Sequence, residues 1–169
     1  MPVDLSRVPS FYHGYINRVA ERSLTAAFEV HPPQLVAFLK NIPEAKWDHR
    51  YAKGKWSIKE MVQHIIDAER IFCYRALCFA REDSTALPGF DENLYAETSK
   101  ADRRQKNDLI EELESVQRSS KQLFNSFDEE QLGATGVANG KEIYVEGIGY
   151  IVIGHALHHQ SILAERYLQ

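Results

Sequence analysis

A chain of 169 residues with 44% hydrophobic and 11% aromatic side chains is long enough for one domain with its own core, and too apolar for a disordered segment. A formal charge of −4 and a pI near 6.0 exclude a basic nucleic-acid surface. No apolar run reaches membrane-spanning length, and Met1-Pro2-Val3-Asp4-Leu5 lacks the charged and apolar parts of a signal peptide, so a cytoplasmic protein is expected.

Residues 1–20 read as an N-terminal arm, with Tyr12 and Tyr15 either packing aromatically or lining a pocket. Helical spacing of Leu24, Phe28, Leu35, Leu39 and Ile42 predicts a first helix over 23–42, kinked or briefly broken at Pro32-Pro33 and ended by Pro43. The second has a defined start, because Ser57-Ile58-Lys59-Glu60 has the form of a capping box. Ile58, Met61, Ile65, Phe72, Ala76 and Phe79 carry it to about residue 81. Cys73 and Cys78 lie on this helix about 500° of rotation apart, too divergent for a local disulfide.

Residues 82–100 follow as an irregular stretch, long enough to be functional rather than a plain connection. A third helix is expected over 102–127, where Leu109, Leu113, Val116, Ser120, Leu123 and Phe127 alternate by four and three as in a bundle seam. The basic residues at its start, Lys100, Arg103, Arg104 and Lys106, are followed by Asp108, Glu111 and Glu112 and read as a solvated face. Asn139-Gly140 marks a hairpin-like excursion over 138–145, and a fourth helix is expected over 146–167. Without repeats or linkers, one four-helix-bundle domain over 1–169 is the economical architecture.

Histidine interrupts the apolar stripe of the fourth helix. His155 and His159 are four residues apart and share a face, and two imidazoles buried without partners would be unfavourable unless a metal ion accepts their lone pairs. His158, three residues from His155, leaves a His155/His158 pair as an alternative, with His158 otherwise in the pocket wall. His64 lies at the edge of the second helix's stripe and can face the interior as a third ligand, on the helix that also carries Asp67, Glu69 and Arg75. Three ligands leave positions open, as a catalytic metal requires. His13, His31 and His49 read as surface or packing residues. No GxSxG, Walker or GxGxxG element is present, and neither cysteine has a basic neighbour suited to nucleophilic catalysis.

Residues 55–70 (KWSIKEMVQHIIDAER) with Tyr74-Arg75-Ala76-Leu77, the loop Pro88-Gly89-Phe90-Asp91-Glu92-Asn93, and Gly154-His155-Ala156-Leu157-His158-His159 resemble the DinB/YfiT-like superfamily over about residues 20–169. The resemblance implies an up-down-down-up four-helix bundle that binds a divalent ion, often nickel or zinc, through His64, His155 and His159. It implies thiol S-transferase activity with a low-molecular-weight thiol as cosubstrate, or metal-dependent hydrolysis, and frequent homodimers. A non-catalytic metal- or ligand-binding module is the rival class. Arg75, Asp91 and Glu92 are the candidates for handling substrate, and residues 82–100 are expected to border the metal pocket with Phe90 turned inward. Phe11, Tyr12, Tyr15, Ile16, Ile143 and Tyr144 add apolar surface that a homodimer would cover.

Overall fold

Apolar stripes at helical spacing decide the architecture, each burying one face against two others. The computed structural model describes residues 3–20 and 23–169, so Met1, Pro2, Glu21 and Arg22 lie outside the described residues, and with them the start of the expected arm. In chain order the helices are α1 (His13–Ile16), α2 (Leu24–Lys40), α3 (Ile58–Ala80), α4 (Glu92–Thr98), α5 (Lys106–Asn125), α6 (Glu129–Gly133) and α7 (Val145–Ile162). Strands β1 (Thr135–Ala138) and β2 (Lys141–Tyr144) form an antiparallel hairpin, and a π-turn, Leu163–Tyr167, extends α7. No helix among the described residues is long and apolar enough to cross a membrane.

The four long helices form the bundle, with α2 and α3 each packed against both α5 and α7. Side-chain pairs fix their directions. Arg70 meets Glu112 and Cys73 meets Ser120, so α3 and α5 run parallel. Phe28 stacks on Phe124 while Lys40 pairs with Glu114, so α2 opposes α5. His64 meets His159 and Phe72 meets His155, so α3 opposes α7. The order is up-down-down-up, and residues 82–105 make the long crossover that a parallel pair requires.

The α3 start is fixed by the expected capping box, with Glu60 N–H donating to Ser57 Oγ at 3.2 Å and Ser57 N–H to Glu60 Oε2 at 2.6 Å. Of the expected kink or short break at Pro32-Pro33, the break does not occur, since α2 is helical from residue 24 to 40. Phe28 before the prolines and Leu35 and Leu39 after them are buried in the core, and this packing outweighs the prolines' low helix propensity. The 82–100 stretch is less irregular than expected, because Asp91 caps α4 by accepting from the N–H groups of Asn93 and Leu94. The Asn-Gly excursion is the β1–β2 hairpin. Its turn places Asn139 and Gly140 at φ 51° and 70°, the left-handed pair that a two-residue hairpin loop needs.

Two apolar clusters fill the bundle, one around Phe28, Phe72, Phe79, Phe124 and Ile148, the other around Leu39, Trp47, Ile65, Leu109 and Leu163. A polar layer separates them at mid-height, made of His64, Glu69, Gln117, Ser120, His155 and His159, all buried. Burial pushes the Glu69 carboxyl up to about 7, and its Oε1 and the Gln117 Oε1 have no hydrogen-bond partner among the described residues although both residues line one cavity of about 10 Å³. The Cys73 thiol, on Ser120 Oγ at 3.1 Å, is likewise pushed up by burial to about 12 and is inert at neutral pH.

The N-terminal arm closes over its own chain. His13 Nε2 lies 3.0 and 2.9 Å from the carbonyls of Leu5 and Val8, and Asp4 N–H donates to the Tyr144 hydroxyl. Ile16, Ile143 and Tyr144 are buried, Tyr12 and Tyr15 half-buried, and of the apolar residues expected to drive dimerisation only Phe11 remains widely exposed. The arm passes so close to α7 that a Cβ on Gly154 would lie 2.2 Å from the Tyr15 carbonyl oxygen. Gly154→Ala should therefore lower stability by about 1–3 kcal/mol in urea unfolding, while Gly14→Ala, with no atom within 4 Å, should leave it nearly unchanged.

Glu69 gives a second expectation. Its folded value lies above the unfolded one of about 4.5, so the folded state holds the extra proton and stability falls as pH rises through 7. Glu69→Gln should remove that slope and stabilise the protein by roughly 2–3 kcal/mol above pH 8, measured as the melting temperature of both proteins across pH 5–9.

Candidate metal centre

His64 comes from the second turn of α3 and the other two histidines from consecutive turns of α7, and antiparallel packing puts them level. Their Nε2 atoms converge: His155 Nε2 lies 3.0 Å from that of His64 and 3.0 Å from that of His159. An imidazole nitrogen offers either one proton or one lone pair, so His155 Nε2 cannot form two good hydrogen bonds at once. A cation accepting all three lone pairs removes that conflict, and nitrogens this far apart can share an ion at about 2.0–2.1 Å from each. Burial holds the His64 imidazole down to about 4; His155 and His159 lie well below their ordinary value, through burial first and then the charge of neighbouring imidazoles, His159 and His64 for His155 and His64 and His158 for His159. All three are thus neutral at pH 7, the state a metal ligand needs. Among the described residues these are the three that come together with metal-ligating geometry.

Ring packing holds them. Trp56 lies over His64 with centroids 4.7 Å apart, and the Tyr15 ring meets His155 at 5.5 Å. Trp56 is itself fixed by the Tyr167 hydroxyl, which donates to its carbonyl at 2.7 Å. His159 Nδ1 has no hydrogen-bond partner among the described residues, and that ring packs against Trp56 and His158. His158 faces Tyr15 and stays outside the triad, so the rings that converge with His64 are those of the i, i+4 pair.

One side of the triad opens into a cavity of about 290 Å³. Its walls are Tyr12, Tyr15, Trp56 and Phe72 from the arm and bundle, and Gly89, Phe90 and Glu92 from the crossover, with Asn139 from the hairpin tip. The crossover therefore borders the site, with Phe90 half-buried against it. Arg75 lines the cavity and is buried; Glu92 lines it from an exposed position. Asp91 corrects the expectation, since its carboxylate is spent on capping α4 and does not line the cavity. His13 and His49 serve packing roles, and His31 lies apart from the triad beside the small Glu69 cavity.

The chain matches the family model of the DinB superfamily over residues 27–163. It belongs to that superfamily. Among solved structures it is similar to YfiT from Bacillus subtilis, described as a probable metal-dependent hydrolase with an unusual four-helix bundle topology. The identity is 17%, with 84% of this chain and 82% of that chain covered and a TM-score of 0.75. At that identity the likeness speaks for the fold. No curated protein matches the chain in sequence.

Two wall residues of this DinB domain went unmarked in the sequence. Trp56 immediately precedes the capping serine, a position from which an apolar side chain commonly folds back over the first turns of its helix, so a signal was there. Asn139 had none, because the hairpin tip reaches the site only through long-range backbone bonds, Leu87 N–H to Val137 O at 2.9 Å and Asn139 N–H to Leu87 O at 3.0 Å. If the triad holds an ion, metal analysis after dialysis should find one per chain. His155→Ala should lose it while keeping its helical circular dichroism, because the two apolar clusters hold the bundle.

Proposed function

We propose that this chain is a divalent-metal-dependent enzyme that transfers a low-molecular-weight thiol to an electrophile, with His64, His155 and His159 as the metal ligands. The observation that carries the reading is three convergent, neutral imidazoles with no fourth protein ligand among the described residues, opening onto a walled cavity. An open site of this kind favours an enzyme over a binding module with a closed metal shell. An all-imidazole donor set suits nickel or zinc. A bound ion would lower the pKa of a coordinated thiol or water and so supply a nucleophile at neutral pH.

The chain's own side chains do the rest. Trp56, Phe72 and Phe90 exclude water and hold apolar parts of a ligand. Burial pushes the Tyr12 and Tyr15 hydroxyls up, so both stay protonated and available to donate to an anionic leaving group. The nucleophile's identity is argued from what the walls lack. Water attack calls for a general base beside the ion, yet the cavity's one carboxylate among the described residues, Glu92, is exposed. A thiol, far more acidic than water, makes less demand on such a base. Hydrolysis is the second reading, favoured by the fold shared with YfiT, a probable metal-dependent hydrolase, and it would give Glu92 the role of base.

The test pairs two assays on protein loaded with zinc or nickel. Conjugation of cysteine or 2-mercaptoethanol to 1-chloro-2,4-dinitrobenzene should depend on the metal and fall by two or more orders of magnitude in His155→Ala. Glu92→Gln should leave it nearly unchanged. Metal-dependent cleavage of p-nitrophenyl acetate without thiol conjugation, sensitive to Glu92→Gln, would establish the hydrolase instead.

A further inference from the structure

We infer that Arg75 is a carboxylate-binding residue, and that the substrate of this cavity carries a carboxylate several bonds from its reacting group. The inference rests on the cavity being the substrate site and goes beyond it by assigning the substrate's charge.

Arg75 is only 4% exposed. Its Nη2 donates to the Pro88 carbonyl at 2.8 Å, the Tyr12 hydroxyl lies beside it, and its guanidinium carbon is 5.7 Å from the Phe72 ring centre. No carboxylate among the described residues pairs with it. Other sheltered cations in this protein are treated differently: Lys59, 8% exposed, pairs with Asp48 at 2.9 Å, and half-buried Arg104 pairs with Glu112. A guanidinium presents five N–H donors in a fixed fork, and one backbone carbonyl and the Tyr12 hydroxyl, both uncharged, leave part of that fork unused. Burying such a charge without a counter-ion is unfavourable, whereas a carboxylate answers the fork with two parallel acceptors.

The placement of Arg75 is built rather than incidental. Pro88 follows Leu87, whose N–H and carbonyl are both bonded to the hairpin, so the loop carbonyl that holds the guanidinium is itself held. The residue lines the same cavity as the triad but lies one aromatic ring away, since Phe72 is in contact distance of both His155 and Arg75. A ligand engaging both ends must span that ring, with its carboxylate remote from the group at the imidazoles. The aromatic walls suit an apolar stretch between the two ends.

The test compares chain-matched probes by isothermal titration calorimetry. On zinc-loaded protein, 6-mercaptohexanoate should bind at least about tenfold more tightly than 6-mercaptohexanol, and Arg75→Met should bring the ratio close to one with zinc content and melting temperature maintained. Hexanoate against 1-hexanol on chelator-stripped protein repeats the comparison without thiol or metal. A preference for hexanoate there, lost in Arg75→Met, would sustain the inference even if metal-dependent conjugation failed. Equal binding of acid and alcohol by the wild-type protein would overturn it without any variant. So would a preference that survives in Arg75→Met and in Arg75→Gln, or inorganic phosphate displacing 6-mercaptohexanoate at lower concentration than hexanoate does, which would reassign the pocket to phosphate.

Discussion

Three imidazoles meeting inside an apolar bundle are the constraint on which this structure turns. A buried polar group must find a partner, and here His155 meets two histidines 3.0 Å away, His64 on the facing helix and His159 one turn along its own. That meeting requires α3 and α7 to be antiparallel neighbours with His64 level with residues 155–159. With α3 also parallel to α5, the chain must cross the length of the bundle between them. The crossover passes the open side of the triad, and so Gly89, Phe90 and Glu92 become cavity wall. The arrangement of the histidines and the presence of a wall opposite them have one topological origin.

The polar layer could be expected to weaken the fold, yet it is confined to mid-height. Above and below it the bundle closes on large buried side chains, among them Trp47, Phe28, Phe79 and Leu39, each contributing roughly 1.5–3 kcal/mol by burial. Stability and chemistry are thereby assigned to different levels of the same helices. The layer also has two unlike sides. Toward the cavity it presents imidazoles held neutral by burial, and toward the opposite face the buried Glu69, Gln117 and Ser120, the first two beside a void of only about 10 Å³.

Much of this was legible in the sequence because it is local. The capping box at Ser57–Glu60, the seam of Leu109, Leu113 and Val116, the Asn139-Gly140 turn and the His155/His159 spacing each depend on a few neighbouring residues. His64 could be placed from the edge of an apolar stripe. What failed or went unseen depends on packing between distant segments. Pro32-Pro33 would break an isolated helix, but the buried residues on both sides of the pair keep α2 whole. Asp91 stands in a motif beside the site, and only the actual start of α4 shows its carboxylate committed to backbone N–H groups. Tyr12 and Tyr15 could be read as packing or as pocket wall, and they are both.

The division between the histidines and the walls around them bears on how far a shared fold carries. A domain can keep this bundle at 17% identity, because what the bundle needs is apolar periodicity and helix direction. The walls come largely from outside it: the arm through Tyr12 and Tyr15, the residue before α3 through Trp56, the crossover through Phe90, and the hairpin through Asn139. Such segments can change sequence without disturbing either apolar cluster. Arg75 joins the two systems, rising from a bundle helix but held by a crossover carbonyl that the hairpin fixes. A substitution in the hairpin can therefore move a charge in the pocket without touching it. The shape and charge of this cavity then follow from the arm, the residue before α3, the crossover and the hairpin rather than from the histidines they surround.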